Sequence, residues 1–549
     1  MPRLTALATA TVLSAVVGCT AIVPATSSAA ASLSPAATSA LAANAPVVRV
    51  LSLGDSITFG RGSCTGNGYR GPLQDLATAG GRYAIDFVGS QLNGVMNDPA
   101  NEGHPGYTVR QIRDGVSSGW LSAARPDVVL LHAGINDLNQ YADGTTTANE
   151  AVALVNQIFA TQPGVTVIMQ GLITSTTGMN NPMPADLAAK IDTFNRRLAD
   201  EESAQQLAGR HFRFVAAPDL GQSRMNDGLH PNDAGYAAFA QGFFTPLDQA
   251  YSAHWFSGGN TQLPRPEDTV RLVNLKDGRL RNAEGNFSAG QWSSWSDMGA
   301  DSITEVTSAA TFSVNRVFAI RDGRIHEKDG NYATGQWTGW FEPAFANQLP
   351  VRPVSVSASA LNHSLHLVVI GEDGHLYNVD ADYEGGRWTT WTDHGGNFKR
   401  VASATTTDNV NHIFAVDAAT NQVVEKDGDY CAGKWSSWTV SGASPFTAQD
   451  VAASASGRTV HVSAVAPNGT WARTDGDFAA GQWNGWTPMP GSGISRITSA
   501  TANNVEHVFA TSGGRLKELD INHTTGTWNS WGEPAGGADS KSATAAFTR

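Results

Sequence analysis

The feature that most restricts the fold of this chain is a tryptophan pair, Trp-x-x-Trp, that recurs through its second half. The pairs are Trp292/Trp295, Trp337/Trp340, Trp388/Trp391, Trp435/Trp438, Trp483/Trp486 and Trp528/Trp531, with first members spaced by 45, 51, 47, 48 and 45 residues. Each pair follows a phrase such as "DGRIHEKDGNYATGQ" or "NQVVEKDGDYCAGK", and a strand-like run such as "VNRVFAI" or "NHIFAV" lies further upstream. A strand-rich unit of this length, punctuated by Asp-Gly turns, cannot bury its apolar face alone. Units stacked in a ring can, so residues 266–549 are expected to form an all-β propeller. Six units are visible, and a degenerate seventh hidden in the preceding linker is the alternative count. The first unit lacks a leading strand, while the terminal "GADSKSATAAFTR" resembles "GADSITEVTSAATFS" at the second unit. The last residues are therefore expected to complete the first blade.

The paired tryptophans have two readings. As structural residues they pack between blades. As binding residues they offer flat apolar faces to sugar rings, with Asp, Asn and His side chains for the hydroxyls. Calcium at the Asp-Gly-Asp turns is the weaker idea, because no full set of oxygen ligands is present. No metal and no cofactor is expected anywhere in the chain.

The first half has a different grammar. Short apolar runs, "VVRVLSL", "AIDFVG", "DVVLLHAG", "VTVIMQGL" and "HFRFVAA", alternate with helix candidates near Val109–Val116, Glu150–Ala160, Leu187–Ala208 and Ala234–Gln249. Buried strands alternating with helices predict a parallel five-stranded sheet covered on both faces, an α/β three-layer domain over residues 46–252. The Gly/Pro/Asn-bearing stretch at 253–265 reads as a linker. Ligands of such sheets bind beyond the carboxyl ends of the strands. Ser56 stands there, directly after the first run, in "LSLGDSITFG".

A serine needs a base to take its proton during attack. In "NDGLHPNDAGY" Asp227 and His230 are three residues apart, so one turn can hold the carboxylate against the imidazole and leave its other nitrogen for Ser56. The tetrahedral intermediate needs hydrogen-bond donors. The Ser56 amide, the Gly89 amide in "DFVGSQ" and the Asn136 side chain in "HAGIND" are the candidates for this oxyanion hole. Asp55 is expected to organise the turn, and Asp137 and Asp219 are other carboxylates able to orient the base. His104 and His132 read as structural or wall residues, and Arg61, Tyr69 and Arg70 as candidates to line the cleft.

"GDSIT", the Gly of "FVGS", "GIND" and "DGLHP", in that order, resemble four blocks of the SGNH, or GDSL-type, hydrolases. "GYRGPLQDL", "EGHPGYTVRQI" and "LLHAGIND" bring the resemblance closer to carbohydrate esterase family three, the acetyl xylan esterase-like group. The resemblance implies a flavodoxin-like fold with Ser56 as nucleophile, Asp227 and His230 as its acid–base pair, and Ser56, Gly89 and Asn136 as oxyanion donors. The third block has Ile135 where Thr is common, which spares the amide. The repeat half resembles tectonin and bacterial lectin-like propellers.

The formal charge of −13 argues against a nucleic-acid partner and leaves neutral polymers open. Residues 1–45 read as a signal peptide and Ala/Ser-rich leader, hence a secreted, extracellular protein with no transmembrane segment once mature. "VVGC" at Cys19 resembles a lipobox, so lipoprotein anchoring is the alternative. Cys64 and Cys431 fall in different domains and are expected to stay unbridged. The chain thus reads as a secreted serine esterase that removes acyl groups, acetyl foremost, from polysaccharide or oligosaccharide, with a propeller that holds glycan or cell wall. A lipid or short-chain esterase, and a lectin or adhesin with a vestigial hydrolase, are the rivals.

Overall fold

In this computed structural model residues 45–548 are described, apart from 97, 141, 174–184, 260–268, 288, 384–385, 443–445, 478–480 and 503–504. Residues 1–44 of the leader, with Cys19, and 260–265 of the linker reading lie outside the described residues. Among the described residues no helix is long and apolar enough to cross a membrane.

The first half is an α/β domain built on β1 (Val47–Gly54). β2 (Ala84–Val88) runs parallel to the first part of β1 and β4 (Ala100–Gly103) to its last two residues. On the other side β5 (Val128–His132), β6 (Thr166–Gln170) and β7 (Phe212–Val215) follow, each parallel to the last. The sheet has seven strands, not the five expected. The additions are β4 and the two-residue β3 (Gln91–Leu92), antiparallel to each other. Their polar sequences, "QL" and "ANEG", carry no alternation. Buried side chains pin them instead: Arg70 donates to the carbonyls of Asn93 and Pro99, and Asn101 accepts from the Gly103 amide.

Alternation along the strands sorts side chains into two cores. Leu51, Leu53, Val129, Leu131, Val167 and Met169 pack under helices Val109–Ser117, Gly144–Thr161 and Leu187–Leu207. Val48, Val50, Val128, Leu130 and Ile168 pack under Arg70–Gly80 and Asp233–Ser252. Each such fully buried aliphatic side chain contributes about 1.5–3 kcal/mol. After Ser252 the chain stays on this domain: Trp255 and Phe256 join the second core, and Gly259 bridges to Val47.

The second half is a propeller of six antiparallel sheets. The chain's last strand, Ser542–Thr548, pairs with Thr269–Leu275 and completes the first blade as its inner strand. The tryptophans are structural. In four of the six pairs the first tryptophan lies on a strand glycine, as Trp337 does on Gly330, where a Cβ would come within 2.6 Å of the ring; Trp388 faces Ala381 and Trp528 faces Ile521 instead. In five of the six pairs the second donates its indole N–H to a carbonyl of the preceding blade: Trp340 to Met298, Trp391 to Phe345, Trp438 to His394, Trp486 to Ser441 and Trp531 to Pro490; the Trp295 indole has no such bond. Most pairs thus seal their own blade, and five of the six staple it to its neighbour. Glu305, Arg400, Asp450 and Arg496, from four blades, form one ion-pair cluster among the inner strands.

Cys64 and Cys431 form a disulfide between the two domains, with 5.6 Å between their Cα atoms. This corrects the expectation that they stay apart. Their 367-residue separation carries no pairing signal in the sequence, and only the docking of the domains brings them together.

Candidate active site

β1 delivers Ser56 to the carboxyl edge of the sheet. The strand stops at Gly54, where a side chain would collide with the His132 carbonyl of β5, 2.1 Å from the Cβ position. Asp55 then caps the four-residue helix Ser56–Phe59, its Oδ1 accepting from the Ile57 amide at 3.0 Å. Asp55 is fully buried, and burial pushes its carboxyl up to about 7. It organises this turn, as the sequence implies.

His230 comes from the loop before helix Asp233–Ser252. The Asp227 Oδ1 accepts from the amides of Leu229 and His230 at 3.0 and 2.8 Å, folding the loop around one carboxylate. The other oxygen, Oδ2, accepts from His230 Nδ1 at 2.8 Å, and the Ser56 hydroxyl donates to Nε2 at 2.9 Å. Burial alone would raise the Asp227 carboxyl, but these hydrogen bonds outweigh it and hold the group below its ordinary range. Three residues, two of them far from the third in the chain, therefore form one continuous path from hydroxyl to carboxylate. Such a path lets an imidazole take a serine proton and stabilises the imidazolium that results.

The other predicted residues flank this path. Gly89 follows β2 on one side of β1; at φ 148° its Cβ would lie 2.1 Å from the Asn101 carbonyl, so only glycine fits. Asn136 lies on the other side, in helix Ile135–Asn139 after β5, fully buried, with Nδ2 donating to the Tyr107 carbonyl at 2.8 Å. That leaves the second N–H of the same amide. Asp137 accepts from the Val109 amide and has no hydrogen bond to His230. Asp219 is exposed.

Two candidates for the cleft wall are corrected. Tyr69 and Arg70 are fully buried. The two terminal nitrogens of the Arg70 guanidinium donate to four backbone carbonyls, of Phe59, Gly66, Asn93 and Pro99, which hold it inside the domain. His132 is likewise buried, which lowers its imidazole to about 4. His104 does belong to the cleft region: its amide donates to the Gly54 carbonyl at 2.9 Å, beside Asp55. Its ring stacks on Trp120 with 4.1 Å between centroids and on Tyr107 with 4.9 Å, and its Nε2 meets Glu102 at 2.7 Å. This aromatic step was not apparent as a unit, because Trp120 lies outside the "EGHPGY" stretch. Beyond β6 and β7 runs a groove of about 560 Å³ with a mixed wall, apolar at Leu172, Ile173, Phe214 and Met225 and polar at Asp192 and Asn195.

Among the described residues three propeller clusters bring metal-ligand atoms together: His461/Glu506/His523, His412/Glu425/Asp427 and His507/Glu518/Asp520. In the first, the Arg473 guanidinium already stands 3.9 Å from Glu506 and 3.3 Å from His523. In the others one imidazole nitrogen is shared by two carboxylates. All three read as ion pairs.

Residues 52–238 match the model of the GDSL-like Lipase/Acylhydrolase family. No curated protein matches the chain. Among solved structures it is similar to a Clostridium thermocellum family 3 carbohydrate esterase, at 29% identity, covering 38% of this chain and 98% of that one with a TM-score of 0.33. A carbohydrate esterase family 3 protein from Talaromyces cellulolyticus gives 25%, 38%, 99% and 0.31. The propeller half is similar to SapL1 lectin, solved with alpha methyl fucoside, at 17% identity over 48% of this chain and 90% of that one, with a TM-score of 0.37. With its family match and the Ser56–His230–Asp227 geometry, the segment 52–238 is a GDSL-like acylhydrolase domain, a carboxylic ester hydrolase joined to a six-bladed propeller.

Proposed function

We propose that this chain is an exported esterase that removes acetyl groups from a polysaccharide or oligosaccharide while its propeller holds the glycan. The hydrogen bond from Ser56 to His230, itself held by Asp227, carries the reading. Ser56 Oγ attacks the ester carbonyl as its proton passes to His230 Nε2. The Ser56 and Gly89 amides and the free N–H of Asn136 receive the oxyanion. His230 then returns the proton to the departing sugar hydroxyl, and water, activated by the same imidazole, releases acetate from the acyl-enzyme.

The His104–Tyr107–Trp120 step supports a sugar substrate, since stacked rings suit the apolar faces of pyranoses. In the propeller, a basic side chain, a carboxylate and a ring recur together between blades: Arg271 with Glu284 and Tyr332, Arg316 with Glu327 and Tyr383, and His366 with Asp380 and Tyr430. Such clusters supply both the ring face and the hydrogen-bonding groups that a sugar requires. Export is supported by the apolar leader and by the Cys64–Cys431 bridge, because disulfides persist in oxidising compartments.

The groove beyond β6 and β7 favours a second reading, an esterase of longer acyl chains. Acetate release from acetylated xylan, set beside a p-nitrophenyl ester series from acetyl to decanoyl, separates the two. Preference for acetyl is expected. A rate that climbs with chain length, with no acetate from xylan, would overturn the carbohydrate assignment.

A further inference from the structure

The chain between the two helices that follow β1 is rich in glycine: "GRGSCTGNG", Gly60–Gly68. It contributes no residue to the domain's apolar cores, so polar contacts hold it in place. It is tied to both ends of the proton path. The Gly60 and Arg61 amides donate to the Ser56 carbonyl at 3.1 and 2.9 Å. Gly62, at φ 85°, lies so close to the histidine that a Cβ there would be 2.5 Å from the Pro231 carbonyl and 2.8 Å from His230 Cβ. Tyr236 donates to the Arg61 carbonyl at 2.5 Å, and the Ser63 hydroxyl and Cys64 amide donate to Asp233 at 2.6 and 3.3 Å. The loop therefore backs His230 and joins it to the backbone of Ser56.

The propeller grips this same loop twice. Cys431 of the fourth blade is bonded to Cys64, and Asn409 donates to the Cys64 carbonyl at 3.4 Å. From the third blade, the Asn362 side chain accepts from the Gly94 amide at 3.1 Å and donates to Asn93 Oδ1 at 3.3 Å. Asn93 in turn donates to the carbonyls of Phe59 and Gly66, at the two ends of the loop's first stretch. Two blades thus converge on one short segment beside the nucleophile.

From this we infer that the propeller is a working part of the hydrolase site: the Cys64–Cys431 bridge makes these cysteines positioning residues that hold Gly60–Gly68 against His230. The inference rests on the esterase reading above. It implies that cutting the bridge lowers turnover of a substrate too small to touch the propeller.

The test uses the full chain in three forms: oxidised wild type, wild type reduced by a dithiol, and Cys431→Ser. Reduction consumes one dithiol, which closes to its cyclic disulfide, and yields two protein thiols. Hydrolysis of p-nitrophenyl acetate is followed across pH, and hydrogen exchange over residues 60–68 and 226–232. In the two bridge-free forms kcat is expected to fall about tenfold with KM nearly unchanged. The pH–rate limb set by the base should move, exchange in both segments should rise, and reoxidation should rescue only the wild type. If kcat stays within twofold, or if exchange in the two segments is unaltered, the bridge is only a tether and the inference is overturned. An oxidised wild type with no esterase activity removes the esterase reading instead, and the exchange result alone then decides the brace. Reduction of already folded protein keeps the test valid even if Cys431→Ser folds poorly.

Discussion

The two halves of this molecule distribute their essential contacts in opposite ways. The hydrolase site depends on single contacts between distant positions. Ser56 reaches His230 across 174 residues, and nothing else in the domain duplicates that hydrogen bond. The propeller repeats its contacts. A tryptophan on a strand glycine and an indole N–H on the preceding blade recur around the ring, so each accounts for a fraction of the whole. Interactions in the first case are all-or-none for chemistry, and in the second they add roughly as nearest-neighbour terms.

The sharpest way to break that contrast is Ser56→Ala. Hydrolysis of p-nitrophenyl acetate should fall by at least ~10⁴-fold with no change in melting temperature, since the removed atom is small and its loss leaves the fold's cores untouched. Substantial residual turnover would show that the single-contact description is wrong. In the propeller, Gly330→Ala pushes a Cβ into the Trp337 ring, at a cost of about 1–3 kcal/mol. A calorimetric transition lower by ~5 °C is expected with esterase turnover retained.

A pH series sharpens the comparison further. Burial would lower the His412 imidazole, but Asp427 and Glu425 outweigh it and push it up to about 9. Its unfolded value is about 6.5, so the charged form stabilises the fold fully below that pH, and the contribution is lost as pH rises through 9. The propeller transition should drop by about 5 °C between pH 7 and 9.5, and His412→Gln should flatten that slope. The smallest effect is expected from Trp391→Phe, which removes one of the repeated indole bonds, to Phe345, at ~1 kcal/mol. A shift of ~2–4 °C with unchanged kcat would fit; loss of the whole propeller transition would show that the blades are not energetically local.

Much of the architecture is legible because it rests on local period. The apolar runs that open the first half became β1, β2, β5, β6 and β7, and the helix candidates lie within Val109–Ser117, Gly144–Thr161, Asp233–Ser252 and, to within a residue, Leu187–Leu207. The terminal strand was recognisable because it repeats the opening of the second blade. The short pair β3 and β4 was not, since a polar strand held by Arg70 and Asn101 has no pattern of its own. Arg70 was only a candidate to line the cleft, because nothing in the sequence shows that the carbonyls of Phe59, Gly66, Asn93 and Pro99 converge on its guanidinium and bury it. The tryptophans were ambiguous, since a ring suited to a sugar is equally suited to a glycine backbone. For the site, the three-residue spacing of Asp227 and His230 already places a carboxylate on an imidazole, and the need of a nucleophilic serine for a base already points that imidazole at Ser56, a pairing the block resemblance reinforces.

What the sequence alone determined is whatever periodicity can record: alternation that makes a covered parallel sheet, and a repeat in the forties that closes into a ring of blades. Tertiary structure alone decided that Cys64 meets Cys431 and Asn362 meets Asn93, and at what distance Ser56 meets His230. Periodicity specifies which face of an element is buried. The distance between two remote side chains depends instead on the whole path of backbone between them, and no short stretch of residues encodes that path.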